Sequence, residues 1–245
     1  MFYCLDELIT MYHLESPFLD VGCGIGDLSD HVAAKGWKGK AIDFSDMAIA
    51  SASDRLKRFP GVIVEKSSLA AVRGSYRTVF LWDVLEHIED DEAALLKVSS
   101  LLSANAHLVV SVPSNPSEWR WDDIFYGHHR RYTAANIRAK LTKAGLEVVV
   151  LWDLTYPFFW VMRRIYTKLK RASEIDNVDK EIPTKLSCKA NAWDVPFLTG
   201  FLDNPVILWW PLSKLQFMFR HSTSLGHEML VLARKTYKGL GKQSS

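Results

Sequence analysis

With 245 residues, 48% of them hydrophobic and 24% charged, the chain has the make-up of a soluble globular protein with room for one substantial α/β domain, which excludes disordered and fibrous classes. Its formal net charge of +2 is too small to call for a nucleic-acid partner. Three cysteines, Cys4, Cys23 and Cys188, stand far apart without a C-x-x-C pair, so neither a disulfide framework nor a zinc site is indicated, and a reducing, cytoplasmic compartment fits best.

In chain order, Met1 to Leu14 mixes Asp6 and Glu7 into its apolar residues and lacks the basic-then-apolar layout of a signal peptide. From Phe18 to Leu151 short apolar runs alternate with longer amphipathic ones, the pattern of repeated βα units around a parallel sheet. Strands are predicted at Phe18–Val21, Gly39–Asp43, Val62–Glu65, Thr78–Trp82, His107–Val112 and Leu146–Trp152. Helices are predicted between them at Asp27–Lys35, Asp46–Arg58, Asp91–Leu102 and Thr133–Ala144. In the last of these Ile137, Leu141 and Ala144 share one face, Thr133 can cap the start, and Gly145 sits where a left-handed stop is expected.

After Trp152 the composition shifts to large apolar and aromatic residues, among them Phe158, Phe159, Trp160, Trp193, Phe197, Phe201, Trp209 and Trp210, broken by prolines. The apolar run Met229 to Ala233 then reads as a last strand. The chain is expected to be a single domain over residues 1–245 with an aromatic-rich insertion at about 155–220 between its last two strands. No run reaches the ~20 apolar residues of a membrane span.

The stretch Asp20-Val21-Gly22-Cys23-Gly24-Ile25-Gly26-Asp27 follows the first strand and leads into the first helix. Glycines spaced G-x-G-x-G let the backbone turn sharply and let a ligand approach its amides. A second acid, Asp43, ends the next strand, where it can accept hydrogen bonds from both hydroxyls of a ribose. Together they imply a nucleotide-like ligand at the carboxyl ends of the first two strands.

These residues, with the block Phe80-Leu-Trp-Asp-Val-Leu-Glu-His-Ile88 and the segment Gly127-His-His-Arg-Arg-Tyr-Thr133, resemble the class I S-adenosylmethionine-dependent methyltransferases, of the small-molecule or lipid-modifying type similar to quinone O-methyltransferases. The resemblance implies a Rossmann-like, seven-stranded, mostly parallel sheet with an antiparallel last strand and helices on both faces. It implies S-adenosyl-L-methionine as cofactor, with Asp20, Gly22, Cys23, Gly24 and Gly26 on its methionine part, Asp43 and Phe44 at the ribose, and Trp82, Asp83 and His87 closing the same end. Where the family often carries an acid for the adenine amino group, Ser67 and Ser68 stand here as acceptors.

Methyl transfer asks mainly that a nucleophile be held in line with the sulfonium methyl, plus a base when the acceptor is a hydroxyl or a protonated amine. His87, His128 and His129 are the candidate bases; Arg131 and Tyr132 complete the candidate catalytic set, an arginine here being available for an anionic group. No metal is expected, although Asp83, Glu86 and His87 lie on one face of a helical turn and form an alternative metal set, as in quinone- and RNA-methylating relatives. The acceptor is expected to be small, and apolar or lipid-linked. The aromatic insertion has three readings: a lid and substrate pocket, a homodimer interface, or a peripheral-membrane patch in which Tyr156 to Arg171 forms an interfacial helix. An RNA methyltransferase, a nicotinamide-dependent oxidoreductase and a non-catalytic scaffold of the same fold are the alternatives.

Overall fold

The computed structural model describes residues 2–169, 214–221 and 225–236. Seven segments extend into strands, several of them rich in β-branched and aromatic residues: β1 (Phe18–Val21), β2 (Gly39–Asp43), β3 (Val62–Lys66), β4 (Tyr76–Trp82), β5 (Leu102–Pro113), β6 (Leu146–Asp153) and β7 (Glu228–Lys235). They form one sheet in the order β3-β2-β1-β4-β5-β7-β6. All neighbours run parallel except β7, which is antiparallel to both β5 and β6, as the sequence leads one to expect. The register pairs Val21 with Ile42 of β2 and with Leu81 of β4, so the residues that follow these three strands emerge along one edge.

Helices accompany the strands: α1 (Phe2–Tyr12), α2 (Asp27–Ala33), α3 (Asp46–Leu56), α4 (Asp91–Leu101), α5 (Trp121–Phe125), α6 (Ala134–Lys143) and α7 (Phe158–Leu169). Local chemistry sets several of their starts. The side chains of Ser45, Asp90 and Thr133 accept from the backbone N–H groups of Ala48, Ala93 and Asn136, and Gly145 (φ +76°) stands just beyond α6 in the left-handed conformation.

Both faces of the sheet are covered, which is why its central strands read as continuous apolar runs. Alternation along β4 and β5 sends Val79, Leu81, Leu108 and Val110 into one core with Leu95, Val98, Ile137 and Leu141 of α4 and α6. It sends Phe80 and Val109 into the other, with Phe18, Val32 of α2, and Leu5 and Leu8 of α1. The sequence reading treated α1 as a lead-in only; its Leu5 and Leu8 are fully buried, and Phe2 stacks on His31 with ring centroids 4.6 Å apart. β5 is also longer than expected, starting at Leu102 directly off α4, where Leu102 pairs with Tyr76.

Within the aromatic-rich region α7 and a helical turn over residues 214–218 are described, whereas Trp193, Phe197, Phe201, Trp209 and Trp210 lie outside the described residues. Of the basic residues of α7, Arg163 is withdrawn from solvent, whereas Arg164 and Lys168 stay accessible. Arg163 is buried against Asp122 and Asp123, Arg164 pairs with Glu118, and the apolar Val161 and Ile165 are 43% and 49% exposed. No helix among the described residues is long and apolar enough to cross a membrane.

Phe80 is fully enclosed, 6.3 Å from the ring of Phe18 and 6.4 Å from that of Trp37. Phe80→Ala is expected to cost about 3–5 kcal/mol in a urea titration. Trimming the exposed Val149 of β6 to alanine is expected to change stability by about 0.5 kcal/mol or less in the same titration.

Candidate active site

The chain leaves β1 through three glycines with φ of +68° (Gly22), +52° (Gly24) and +84° (Gly26). A β-carbon on Gly22 would come within 2.6 Å of Val84 Cγ2, and one on Gly26 within 3.2 Å of Ala52 Cβ, whereas one on Gly24 would meet nothing within 4 Å. Two of the glycines therefore serve close packing, and the third leaves its face open to a ligand. The Gly24 amide donates to Asp43 Oδ2 at 3.0 Å and the Ser45 amide to Oδ1 at 2.9 Å. Each carboxylate oxygen keeps a second lone pair, so Asp43 can still accept from two hydroxyls.

Around this pair, Phe44 is 68% exposed, and the Ser67 amide donates to the Asp43 carbonyl at 3.0 Å, which sets Ser67 and the following Ser68 beside the acid. Cys23 is buried in the loop, and its amide donates to the Ile42 carbonyl at 2.9 Å. Asp20 is buried beneath the loop and accepts from Ser29 Oγ at 2.6 Å. Burial pushes its carboxyl up to about 7; the Ser29 hydrogen bond opposes the rise and the charge of Asp43 adds to it.

The contact of Val84 with Gly22 joins the loop to the segment after β4. Trp82 ends that strand, and Asp83 follows with φ +53°, its amide donating to the Ser111 carbonyl at 3.1 Å. Ser111 Oγ donates to Asp83 Oδ1 at 2.5 Å and lies 2.9 Å from Glu228 Oε1 at the start of β7. Asp83 is open on one side, yet the protein around it desolvates the carboxyl and raises its pKa. Burial and the charge of Asp83 hold Glu228 well above the usual carboxylate range. Glu86, in the turn Leu85–His87, is raised in the same way and for the same two reasons, and its Oε2 is buried without a hydrogen-bond partner.

The third segment closes on the second through the His129 amide, which donates to the Glu86 carbonyl at 2.9 Å. This brings His128 Nε2 and His87 Nε2 each to 3.9 Å from Glu86 Oε1, with the two rings in edge contact at 5.0 Å. His87, though open on one side, is held down to about 4 by desolvation and by His128. Of the predicted catalytic set, His87 and His128 stand together. His129 is exposed, Tyr132 is fully buried with its hydroxyl donating to Asp91 Oδ2 at 2.8 Å, and Arg131 is buried on Asp123, the Ser114 carbonyl and the His227 carbonyl. The neighbouring Arg130 is engaged by Asp91 and the Glu89 carbonyl, so Arg130 and Arg131 both have partners within the protein.

Sequence reasoning missed Asp123, Ser111 and Glu228. Asp123 Oδ1 lies 2.9 Å from His128 Nδ1; an acid shortly before a histidine pair was the one signal for it, and nothing local tied it to a role. Chemically, the site offers an open backbone turn beside an acid at one end, and two imidazoles over a buried carboxyl at the other. The ligand atoms of Glu86, His87 and His128 all lie within 4.8 Å of one another, so these three could hold a metal ion. That set shares Glu86 and His87 with the sequence reading and has His128 where the sequence reading had Asp83.

Residues 7–151 match the family model of a methyltransferase domain. Over 205 residues the chain is 26% identical to the mitochondrial ubiquinone biosynthesis O-methyltransferase of Schizosaccharomyces pombe, an alignment that covers 80% of this chain and spans 61% of that protein's length. Among solved structures, the magnesium protoporphyrin IX methyltransferase of Synechocystis with bound S-adenosylhomocysteine is similar with a TM-score of 0.53 at 22% identity, over 64% of this chain and 76% of that one. The cyclase SpnF is similar with a TM-score of 0.60 at 17% identity, over 96% of this chain and 80% of that one. A fold shared with a cyclase leaves the reaction to be argued from the site.

A carboxyl whose pKa is raised in the folded state stabilises the fold at low pH and loses that contribution as the pH climbs through its folded value. Between the ordinary aspartate value of about 4 and the folded value of about 7, the ligand-free protein is therefore expected to shed the Asp20 contribution. Asp20→Asn, which cannot titrate, should flatten that part of a plot of melting temperature against pH; an unchanged slope would contradict the assignment.

Proposed function

Since the chain belongs to the class I S-adenosylmethionine-dependent methyltransferases, we propose that it transfers the methyl group of S-adenosylmethionine to a hydroxyl oxygen of a small, apolar or lipid-linked acceptor. The observation that carries the reading is the open left-handed turn at Gly24, tied by its amide to Asp43. A backbone free of side chains beside an acid suits a ligand that carries both an amino-acid end and a ribose.

When bound, the cofactor supplies a methyl group on a positively charged sulfur, and the protein's task is placement. Asp20 and the turn from Gly22 to Gly26 receive the methionine end, and Asp43 takes the ribose hydroxyls. Phe44 stands beside Asp43 at the ribose, and Ser67 and Ser68 flank the adenine side. Trp82, Asp83 and His87 border the transfer end, and His128 faces it from the loop after α5 with a ring nitrogen to receive the acceptor's proton. A hydroxyl acceptor is favoured by the paired imidazoles of His87 and His128, which offer a base, and by the O-methyltransferase relative. An apolar one is favoured by the exposed Trp119 and Ile124 around Asp123 and by Val161 and Ile165 on α7.

A divalent cation is a second reading of the transfer end, favoured by the unpartnered buried Oε2 of Glu86. Glu86, His87 and His128 would hold it, and it would polarise the acceptor hydroxyl. Zinc added to chelator-treated protein should then raise the melting temperature, and His87→Ala should remove the rise; no rise in the wild type contradicts this second reading.

Titration calorimetry with S-adenosylhomocysteine tests the main reading. Asp43→Ala is expected to weaken binding about 10- to 100-fold, the worth of a charge-assisted hydrogen bond. Gly24→Val, which puts a branched side chain into the open face at positive φ, should abolish it. Equal affinity in both variants and the wild type, or stabilisation of the wild type by NADH in place of S-adenosylhomocysteine, would contradict the reading.

A further inference from the structure

Asp123 touches neither the glycine turn nor Asp43, yet four groups converge on its carboxylate at the acceptor end. It is fully buried in the first turn of α5. Oδ2 accepts from the Arg120 amide at 2.8 Å and from Arg163 Nη2 of α7 at 3.0 Å. Oδ1 pairs with Arg131 Nε at 2.8 Å and lies 2.9 Å from His128 Nδ1. The His128 amide also donates to the Asp123 carbonyl at 2.9 Å, so backbone and ring are anchored to one residue. Two guanidinium groups, Arg131 and Arg163, lie within 3.0 Å of the carboxylate and compensate its buried charge.

A carboxylate kept ionised by two arginines can only accept hydrogen bonds. His128 Nδ1 must therefore be the donor, and a neutral imidazole has one N–H, which leaves Nε2 with a bare lone pair. That nitrogen points to the side where Glu86 Oε1 lies at 3.9 Å and the His87 ring at 5.0 Å. The Tyr126 ring, stacked at 6.3 Å, restrains the imidazole further.

Resting on the methyltransferase reading above, we propose that Asp123 is a positioning residue: it fixes His128 in the Nδ1–H tautomer, so that Nε2 receives the proton of a hydroxyl acceptor. In the step so assisted, the acceptor's O–H bond breaks and its proton passes to Nε2. The oxygen forms a bond to the methyl carbon as the carbon–sulfur bond breaks, its electron pair staying on sulfur. The imidazolium left behind is stabilised by Asp123 and returns its proton to water once the product leaves. Arg163 gives this arrangement a link to α7, because the same guanidinium clamps Asp122 through two bonds of 2.8 and 2.7 Å.

The tautomer is read directly by long-range proton–nitrogen correlation spectra of histidine-labelled full-length protein, recorded on the neutral imidazole, with His128 assigned from the signal lost in His128→Asn. The expected spectrum shows Nδ1 protonated and Nε2 bare. A wild type with the proton on Nε2 overturns the proposal without any further variant. Asp123→Asn must turn an amide N–H toward one of the groups that now donate to it, and is expected to shift the His128 proton wholly or partly to Nε2. A folded Asp123→Asn whose His128 tautomer is unchanged overturns the proposal as well. Binding of S-adenosylhomocysteine to the wild type is measured alongside: if it fails while the tautomer is as expected, the methyltransferase reading falls and the positioning of His128 by Asp123 stands.

Discussion

The hydrogen bond from the Gly24 amide to Asp43 is the contact on which the rest of the site depends. It closes the gap between the ends of β1 and β2, and it exists because parallel register brings Val21 and Ile42 level, so that the chain after β1 passes the acid at the end of β2. The turn that makes the contact requires left-handed backbone at three positions, which glycine adopts without strain. Its packing against Val84 carries the constraint to the segment after β4, and the amide of His129 on Glu86 carries it to the loop after α5. Three segments distant in sequence thus share one edge of the sheet because each leaves a strand or loop there.

The two ends of the site use carboxyl groups in opposite ways. Beyond β4, desolvation raises the pKa values of Asp83, Glu86 and Glu228, and the charge of Asp83 adds to the rise at Glu86 and Glu228. A short distance away Asp123 stays ionised because Arg131 and Arg163 meet it from two different elements. Environment, with no change in residue type, separates proton holders from a fixed acceptor. The His128 ring lies between the two, with Nδ1 2.9 Å from Asp123 and Nε2 3.9 Å from Glu86.

Much of the sheet and the whole glycine turn were legible in the sequence, because period-two and helical patterns, caps and the G-x-G-x-G spacing are local signals. What escaped was set by tertiary contact. α1 carries an apolar helical spacing at Leu5, Leu8, Ile9 and Tyr12, but its partners are distant strands and α2, which no local pattern names. Arg131 and Tyr132 adjoin the histidine pair in sequence, yet Arg131 turns into an ion-pair network and Tyr132 into the core. Asp123 and Glu228 owe their surroundings to residues from other elements, Arg163 and Ser111, which no spacing rule connects to them. α7 has the basic and apolar content read from the sequence, but no local signal showed that its Arg163 turns inward to Asp122 and Asp123.

The central claim is that the edge formed by the Gly24 turn, Asp43 and the segment from Trp82 to His87 holds S-adenosylmethionine with its methyl group toward His128. A crystal structure of the protein with S-adenosylhomocysteine tests it most directly. The account predicts the ribose hydroxyls on Asp43, the amino-acid end over Gly24, and the sulfur facing the His87 and His128 pair. A ligand bound with its ribose away from Asp43, or with its sulfur turned from the two histidines, would contradict it.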